Sequence, residues 1–161
     1  MVSQETLEQR MDRFKQGLRA TGIKLTHQRI EIFLEVAGAE DHPDAETIFE
    51  GVRRRIPTMS LDTVYRTLWM LIDLGLLTTL GPARDRMRFD ANTGAHHHFV
   101  CTKCGMTRDF DSEEIDSLQL PDMVISMGTV EIKQMEVRGV CSKCSKATSN
   151  EKRARRKKEE L

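Results

Sequence analysis

Residues 95–105, AHHHFVCTKCG, hold three histidines and two cysteines. Imidazole nitrogens and thiolate sulfurs are common ligands of transition metals in proteins. A second cysteine pair, Cys141 and Cys144, follows in CSKC. The first question that the sequence raises is therefore whether this chain binds one metal ion, two or none.

The four cysteines form two matched CxxC pairs, Cys101 with Cys104 and Cys141 with Cys144. Four thiolates make the tetrahedral set of a closed structural zinc site. The 36 residues between the pairs exceed the ~15–20 of a zinc ribbon. Zinc would therefore join the two ends of a small β-rich subdomain. A redox dithiol and disulfides are the alternatives, and two matched pairs favour zinc over both.

The histidines form a separate group, because a closed four-sulfur site has no room for them. Side chains alternate along a strand, so His96 and His98 share one face while His97 points the other way. Asp90 and Asp109 are the neighbouring carboxylates. Nitrogen and oxygen donors suit a harder divalent ion than four sulfurs do. A second metal site and ordinary polar side chains both remain open at this point, and His97 is not expected to be a ligand.

The composition indicates a soluble, globular protein: of 161 residues, 39% are hydrophobic and 31% charged. We find no apolar run of membrane-spanning length and no signal-peptide core, so a cytoplasmic protein is expected. The formal net charge is zero, yet residues 151–161 hold six Lys/Arg against three Asp/Glu. We interpret this tail as solvated, with an accessory DNA contact as the alternative.

The first half has the pattern of helices followed by a hairpin. Apolar residues at helical spacing predict helices in residues 3–20, after Thr26, after Asp44 and after Ser60. Two short β-prone runs, 76–80 and 87–89, then flank a turn with Gly and Pro. This order is typical of a winged helix-turn-helix domain, in which the helix before the wing enters the DNA major groove. A helical bundle without DNA binding is the alternative. The residues expected to face inward are Leu7, Met11, Phe14, Leu18, Ile30, Phe33, Leu34, Ala37, Ile48, Val52, Ile56, Val64, Leu68 and Leu71.

The second half reads mainly as strands. These are HHHFVC, MTRDF and the long run MVISMGTVEIKQMEVRGVC, with a short helix in SEEIDSLQ. The whole chain is thus predicted to be α+β. We expect a winged-helix domain at 1–90, a hinge at 91–95, a second domain at 96–150 and a charged tail at 151–161.

Several motifs together resemble the Fur family of metal-dependent bacterial repressors. They are HPDAETIF, SLDTVYRTL, RFDANTGAHHHFVCTKCG, DF and the terminal CSKC, and the resemblance runs from about residue 5 to 146. It implies a homodimer that binds palindromic DNA operators through the winged-helix domain, with the second domain dimerising. It also implies DNA contacts from Tyr65 and Arg66, with Ser60 and Thr63 as neighbours of phosphate.

The resemblance also implies a regulatory metal site with Fe²⁺ or Mn²⁺, in addition to structural zinc on the cysteines. His42 lies in the first half, so one ion would bridge the two halves and hold the dimer arms at operator spacing. The implied ligands are His42, Asp90, His96, His98 and Asp109.

Asp109 points to one type within the family. Iron-uptake regulators typically have Glu there, whereas peroxide sensors of the PerR type have Asp, and oxidation then falls on a ligand such as His42 or His96. The last strand also lacks the histidine that many uptake regulators use for another site, and His27, at a helix start, is interpreted as structural. The alternative is a metal-uptake regulator without peroxide sensing. A metalloenzyme is a further alternative, but no independent acid or base group supports it, so no enzyme activity is expected.

Overall fold

The computed structural model describes residues 2–80 and 87–146, and the chain divides into two units, Met1–Gly94 and Ala95–Leu161. The division falls within the predicted hinge. The turn predicted at 81–86 and the charged tail at 151–161 lie outside the described residues.

The first unit begins with four helices: α1 (Gln4–Ala20), α2 (His27–Ala37), α3 (Ala45–Arg55) and α4 (Leu61–Asp73). Each follows a residue whose side chain accepts a hydrogen bond from the N–H three positions later, which satisfies a donor that the first turn leaves unpaired. These caps are Ser3, Thr26, Asp44 and Ser60. The four predicted helices are confirmed. Among the described residues, no helix has the length and apolar character needed to cross a membrane.

A two-stranded hairpin follows α4. Gly75 has a φ of 66°, a left-handed conformation that glycine adopts without strain, and it ends the helix. The strands β1 (Thr78–Leu80) and β2 (Arg88–Asp90) then pair antiparallel, with Thr79 opposite Phe89. The strands predicted for the wing are confirmed.

One apolar core holds the first unit together. At its centre the rings of Phe14 and Phe33 stack with centroids 4.4 Å apart. The prediction for α2 was incomplete, because Ile32 and Val36, which it left out, are buried, whereas Ile30 is partly buried against the core and Leu34 is partly buried. The reason is that α2 packs against α1, α3, α4 and β2, so more than one of its faces is covered. Ile56, also predicted to face inward, is partly buried at the end of α3.

The second unit is built on a small mixed sheet. It contains β3 (His97–Cys101), β4 (Thr107–Phe110), α5 (Glu113–Asp116), α6 (Asp122–Ile125) and β5 (Glu136–Gly139). The strand order is β4-β3-β5, with β4 antiparallel and β5 parallel to the central β3. The predicted α+β class is confirmed.

The long final strand was predicted wrongly. Its first part forms α6, and only residues 136–139 form a strand. The pairing of β5 with β3 begins at Glu136, opposite His98, and just before it the His98 N–H donates to the Met135 carbonyl oxygen at 2.9 Å. Lys133 donates a hydrogen bond to the Leu118 carbonyl oxygen, at 2.9 Å, beyond the end of α5. Alternation at Val130 and Ile132 could not reveal this, because strand length depends on the partner strand.

Candidate functional site

In the first unit, His42 is held in an unusual backbone conformation. Its φ of 49° is the only positive value of a non-glycine residue among the described residues, and this conformation costs about 1–2 kcal/mol. Hydrogen bonds to β2 hold the segment in place: the Phe89 N–H donates to the Pro43 carbonyl at 3.1 Å, and Arg88 Nη1 donates to the carbonyls of Asp41 and His42 at 3.0 and 3.1 Å. A strained residue fixed by its surroundings is a feature of binding sites.

The result of this conformation is a buried pair formed by His42 and Asp90. His42 Nδ1 lies 3.4 Å from Asp90 Oδ1, and the two residues are 3% and 2% exposed. The N–H of Asn92 donates to the same carboxylate oxygen at 2.7 Å. The first unit therefore presents one imidazole and one oriented carboxylate next to each other.

In the second unit, three side chains converge. His96 Nε2 and His98 Nε2 are 2.9 Å apart, and both residues are buried. Asp109 Oδ1 lies 3.4 Å from His98 Nε2 and 3.8 Å from His96 Nε2. The two histidines lie on the same side of the strand, and Asp109 comes from β4, directly opposite His98.

His97 takes no part in this group. Its Nδ1 accepts a hydrogen bond from the N–H of Met135 at 3.3 Å, and its Nε2 lies 3.3 Å from Asp116 Oδ1. Its ring packs at 5.4 Å from the ring of Phe110. These contacts are those of a structural core residue. His27 is exposed at the first position of α2, the predicted helix start.

The donors in both units fit a divalent ion of intermediate hardness. Imidazole nitrogen and carboxylate oxygen suit Mn²⁺ and Fe²⁺, whereas thiolates select softer ions. Neighbouring ligands of a six-coordinate ion at about 2.1 Å stand about 3 Å apart, since they subtend a right angle. The 2.9 Å between His96 Nε2 and His98 Nε2 matches that spacing.

The four cysteines meet at one end of the sheet. Because β3 and β5 are parallel, with Cys101 opposite Gly139, the CxxC segments that follow them emerge at the same end. The four Sγ atoms lie within 4.8 Å of one another, and those of Cys104 and Cys141 are 3.8 Å apart. Four sulfurs at about 2.3 Å from zinc in a tetrahedron are about 3.8 Å apart. The cluster therefore fits a closed zinc site.

Hydrogen bonds prepare this cluster for metal. The backbone N–H groups of Cys141 and Cys104 lower the pKa of the Cys101 thiol to about 6, because they stabilise its thiolate. The thiol of Cys141 and then that of Cys104 raise the pKa of Cys144 to about 12. The Cys101 side chain thus favours the thiolate form in which cysteine binds zinc.

The residues predicted to contact DNA lie on α4. Arg66 has an 80% exposed side chain, and Tyr65 is 36% exposed. Ser60 caps the helix by accepting the Thr63 N–H at 3.1 Å, and its hydroxyl contacts the Thr63 hydroxyl at 2.8 Å. The exposed face of α4 also carries Trp69, 46% exposed, which sequence analysis did not single out.

Two supporting residues were also missed. Asn92 orients Asp90 through its backbone, and an Asp followed two positions later by Asn is a turn pattern that could have indicated this. Arg13 of α1 donates from Nη2 to the carbonyl of Ala91 at 2.7 Å. No sequence signal could have indicated that contact, since the two residues are far apart in the chain and the acceptor is backbone.

The chain is similar to known regulators over most of its length. The profile of the Ferric uptake regulator family matches residues 20–138. The peroxide-responsive repressor PerR of Staphylococcus epidermidis is 29% identical over 140 residues, 87% of this chain and 93% of that protein. The structure of the ferric uptake regulator of Francisella tularensis with iron has a TM-score of 0.63 at 27% identity, covering 77% of this chain and 96% of that one.

A further solved structure shares the fold. The Helicobacter pylori ferric uptake regulator Fur, described as having three functional metal binding sites, has a TM-score of 0.71 at 24% identity. The match covers 90% of this chain and 97% of that one. The resemblance inferred from the motifs is thereby confirmed, and the chain belongs to the Ferric uptake regulator family.

Proposed function

We propose that this protein is a homodimeric transcriptional repressor that binds DNA when it holds Fe²⁺ or Mn²⁺ and is released by hydrogen peroxide. It acts as a regulator in the cytoplasm and not as an enzyme. Membership of the family supports the regulatory role. The similarity to the S. epidermidis peroxide-responsive repressor, at 29% identity, supports the peroxide response.

The proposed regulatory ion takes its ligands from both units. The first unit would provide His42 and Asp90, and the second His96, His98 and Asp109. The buried donor pairs described above support this assignment, since each unit holds nitrogen and carboxylate donors that suit the same ion. An ion held by both donor sets would favour one orientation of the DNA-binding arms over others, which couples metal binding to operator binding.

The observation that carries the peroxide response is the position of Asp109. Its carboxylate already lies 3.4 Å from His98 Nε2 across the β3–β4 ladder, and Asp is one methylene shorter than Glu. The shorter side chain would give peroxide access to an ion held by Asp109 and the histidines. Fe²⁺ at this site would supply the redox chemistry, with the net result that one oxygen atom of H₂O₂ enters the imidazole ring of His42 or His96 and the other leaves as water. The oxidised ring would be a poorer ligand, and its loss would release the DNA.

A structural zinc ion on Cys101, Cys104, Cys141 and Cys144 would complete the second unit. The buried hydrophobic cluster of the described residues belongs to the first unit, and the second buries mainly its histidines and cysteines. A unit of this kind needs metal or a partner chain for stability.

Exposed apolar side chains of the second unit support a homodimer. A monomer rarely leaves so many on one small unit, and a second copy of the chain would cover them. They are Leu118, Met123, Ile125, Met127, Val130, Ile132, Met135, Val137 and Val140.

For DNA, we propose that α4 enters the major groove and presents Tyr65 and Arg66, with Ser60 and Thr63 near phosphate. The exposure of Tyr65 and Arg66 supports this. Two copies related by a twofold axis would read a palindromic operator.

The test compares metals and oxidant on the same DNA. An operator is first selected from a random DNA pool with Mn²⁺-loaded protein, and affinity is then measured with Mn²⁺ or Fe²⁺, before and after peroxide. We expect both metals to promote binding, and only the Fe²⁺ form to lose it with peroxide, together with a gain of about 16 mass units on a histidine peptide. Fe²⁺-loaded protein that stays on DNA without oxidation would contradict peroxide sensing and favour a metal-uptake regulator instead.

A further inference from the structure

Arg13 connects helix α1 to the residue that follows Asp90. Its Nη2 donates to the carbonyl oxygen of Ala91 at 2.7 Å, across 78 positions of sequence. Ala91 is only 1% exposed, so the acceptor of this partly buried hydrogen bond is shielded from water. The end of β2 is thereby attached to a rigid helix of the same unit.

The partly buried environment of Arg13 is unfavourable for its charged guanidinium. Its Nε is buried and has no acceptor among the described residues. Burial, and then the charge of Arg10, lower the pKa of the Arg13 guanidinium, while the charge of Asp90 acts in the opposite direction. Buried unsatisfied donors are rare in proteins and call for an explanation.

The residues around Ala91 supply that explanation. On one side, Asp90 Oδ1 receives the N–H of Asn92 at 2.7 Å and lies 3.4 Å from His42 Nδ1. Ala91 is the residue between Asp90 and Asn92, and its carbonyl is the atom that Arg13 holds. Rotation of that peptide would displace the Asn92 N–H and the carboxylate that it orients.

We propose that Arg13 is a positioning residue for the regulatory site: it holds the Ala91 peptide so that the Asp90 carboxylate faces His42 in a conformation ready to bind metal. This inference rests on the proposed function, because it treats Asp90 as a metal ligand. Groups that orient a ligand without touching the metal commonly change metal affinity by about 10–100-fold when they are removed.

Arg10 offers a matched control. It lies on the same helix and also donates from Nη1 to a backbone carbonyl, that of Ala37, at 2.8 Å. Ala37 is the last residue of α2 and is not part of the Asp90 turn. Removing Arg10 therefore deletes an equivalent charge and hydrogen bond without releasing Ala91.

The first measurement is Mn²⁺ affinity by calorimetry on zinc-loaded protein. We expect Arg13→Ala to weaken Mn²⁺ binding about tenfold or more. Arg13→Lys, which keeps one donor and the charge, should stay close to wild type, and Arg10→Ala should not change the affinity. If Arg13→Ala does not fold, Arg13→Met, which keeps a long aliphatic chain but has no N–H donor, replaces it with the same expectation. Wild-type affinity in the Arg13 variant, or an equal loss in Arg10→Ala, would overturn the proposal.

The second measurement needs no regulatory metal. Hydrogen exchange of the Asn92 N–H in metal-free protein reports directly on the Asp90 turn, and we expect faster exchange in Arg13→Ala but not in Arg10→Ala. Should wild type bind no Mn²⁺, the proposed function fails, and this exchange result alone decides the positional role of Arg13. Unchanged Asn92 protection in Arg13→Ala would overturn that role as well.

Discussion

His98 and Asp109 face each other directly across strands β3 and β4, with His98 Nε2 3.4 Å from Asp109 Oδ1. The pairing is fixed by the register of the ladder, since a shift of one residue would turn one of the side chains to the opposite face. Two donors of different chemistry are therefore held together by backbone hydrogen bonds.

The first prediction concerns the cysteines of the structural zinc site. Cys101→Ser or Cys141→Ser should lose zinc and dimerisation together, because each removes one ligand from a closed set of four and zinc-site formation contributes directly to folding. Zinc content by mass spectrometry and molecular mass by light scattering check this. Ser142→Ala, an exposed change within the same CSKC segment, should leave both unchanged. A zinc-free cysteine variant that remains a stable dimer would contradict the prediction.

The second prediction concerns His42. His42→Ala should still dimerise and hold zinc but lose Mn²⁺-dependent DNA binding, because no other proposed ligand comes from the helical part of the first unit. His42→Asn is the sharper variant, since Asn tolerates the left-handed φ of 49° and the test then isolates the imidazole. Both variants are compared with wild type by DNA-binding titrations with and without Mn²⁺. An undiminished effect of Mn²⁺ in both would contradict the bridging site.

The fold was predictable where it depends on local sequence. All four helices could be predicted, because each has apolar residues at helical spacing and begins after a capping residue. The caps are Ser3, Thr26, Asp44 and Ser60. The last strand was predicted too long because its extent depends on β3, a partner far away in sequence. Side-chain alternation describes a strand's faces but does not say how many of its residues find a partner.

For the candidate site, the sequence indicated which residues could donate to a metal ion but not the contacts that hold them in position. Strand alternation predicted that His97 faces away from His96 and His98. In the structure, His97 contacts Met135 and Asp116. The strained conformation of His42 and the contact from Arg13 to Ala91 depend on tertiary structure and on backbone atoms. Residue types alone carry no information about such contacts.

A third prediction tests the DNA surface. Arg66→Ala should abolish operator binding while metal content and dimerisation stay intact, because a base or phosphate contact contributes ~1–3 kcal/mol and the dimer makes it twice. Arg108→Ala removes the same charge from an exposed position on β4 of the second unit and serves as the control. Fluorescence anisotropy with labelled operator measures both. Equal affinities of Arg66→Ala and wild type would place the DNA-reading surface elsewhere.

The fourth prediction separates His97 from the metal ligands. His97→Ala opens a cavity at a buried position and removes the acceptor of the partly buried Met135 N–H, so the free energy of unfolding should fall by about 1–3 kcal/mol. Mn²⁺ affinity should be unchanged, whereas His98→Ala should lose it. Urea unfolding and Mn²⁺ calorimetry distinguish the two outcomes. A His97 variant that loses Mn²⁺ affinity as His98→Ala does would make His97 part of the site.

The last prediction concerns Asp109. Asp109→Glu keeps the charge and adds one methylene, so divalent-ion binding and repression should survive. The longer carboxylate can chelate the ion and close the position that peroxide needs. Fe²⁺-loaded wild type should gain about 16 mass units on a peptide with His42 or His96 after peroxide, whereas the Asp109→Glu protein should gain far less and stay on DNA.

Two controls test whether oxidation requires Fe²⁺ and whether it depends on the length of the carboxylate at Asp109. Mn²⁺-loaded wild type should not be oxidised, because manganese reacts poorly with peroxide in this role. Asp116→Glu makes the same chemical change beside His97, on the α5 side of the sheet, and should be oxidised and released as wild type is. If Fe²⁺-loaded Asp109→Glu is oxidised as fast as wild type, carboxylate length does not control access of peroxide to the ion. If Fe²⁺-loaded wild type keeps unmodified histidines and stays bound to its operator after peroxide, the protein is a metal-uptake regulator and not a peroxide sensor.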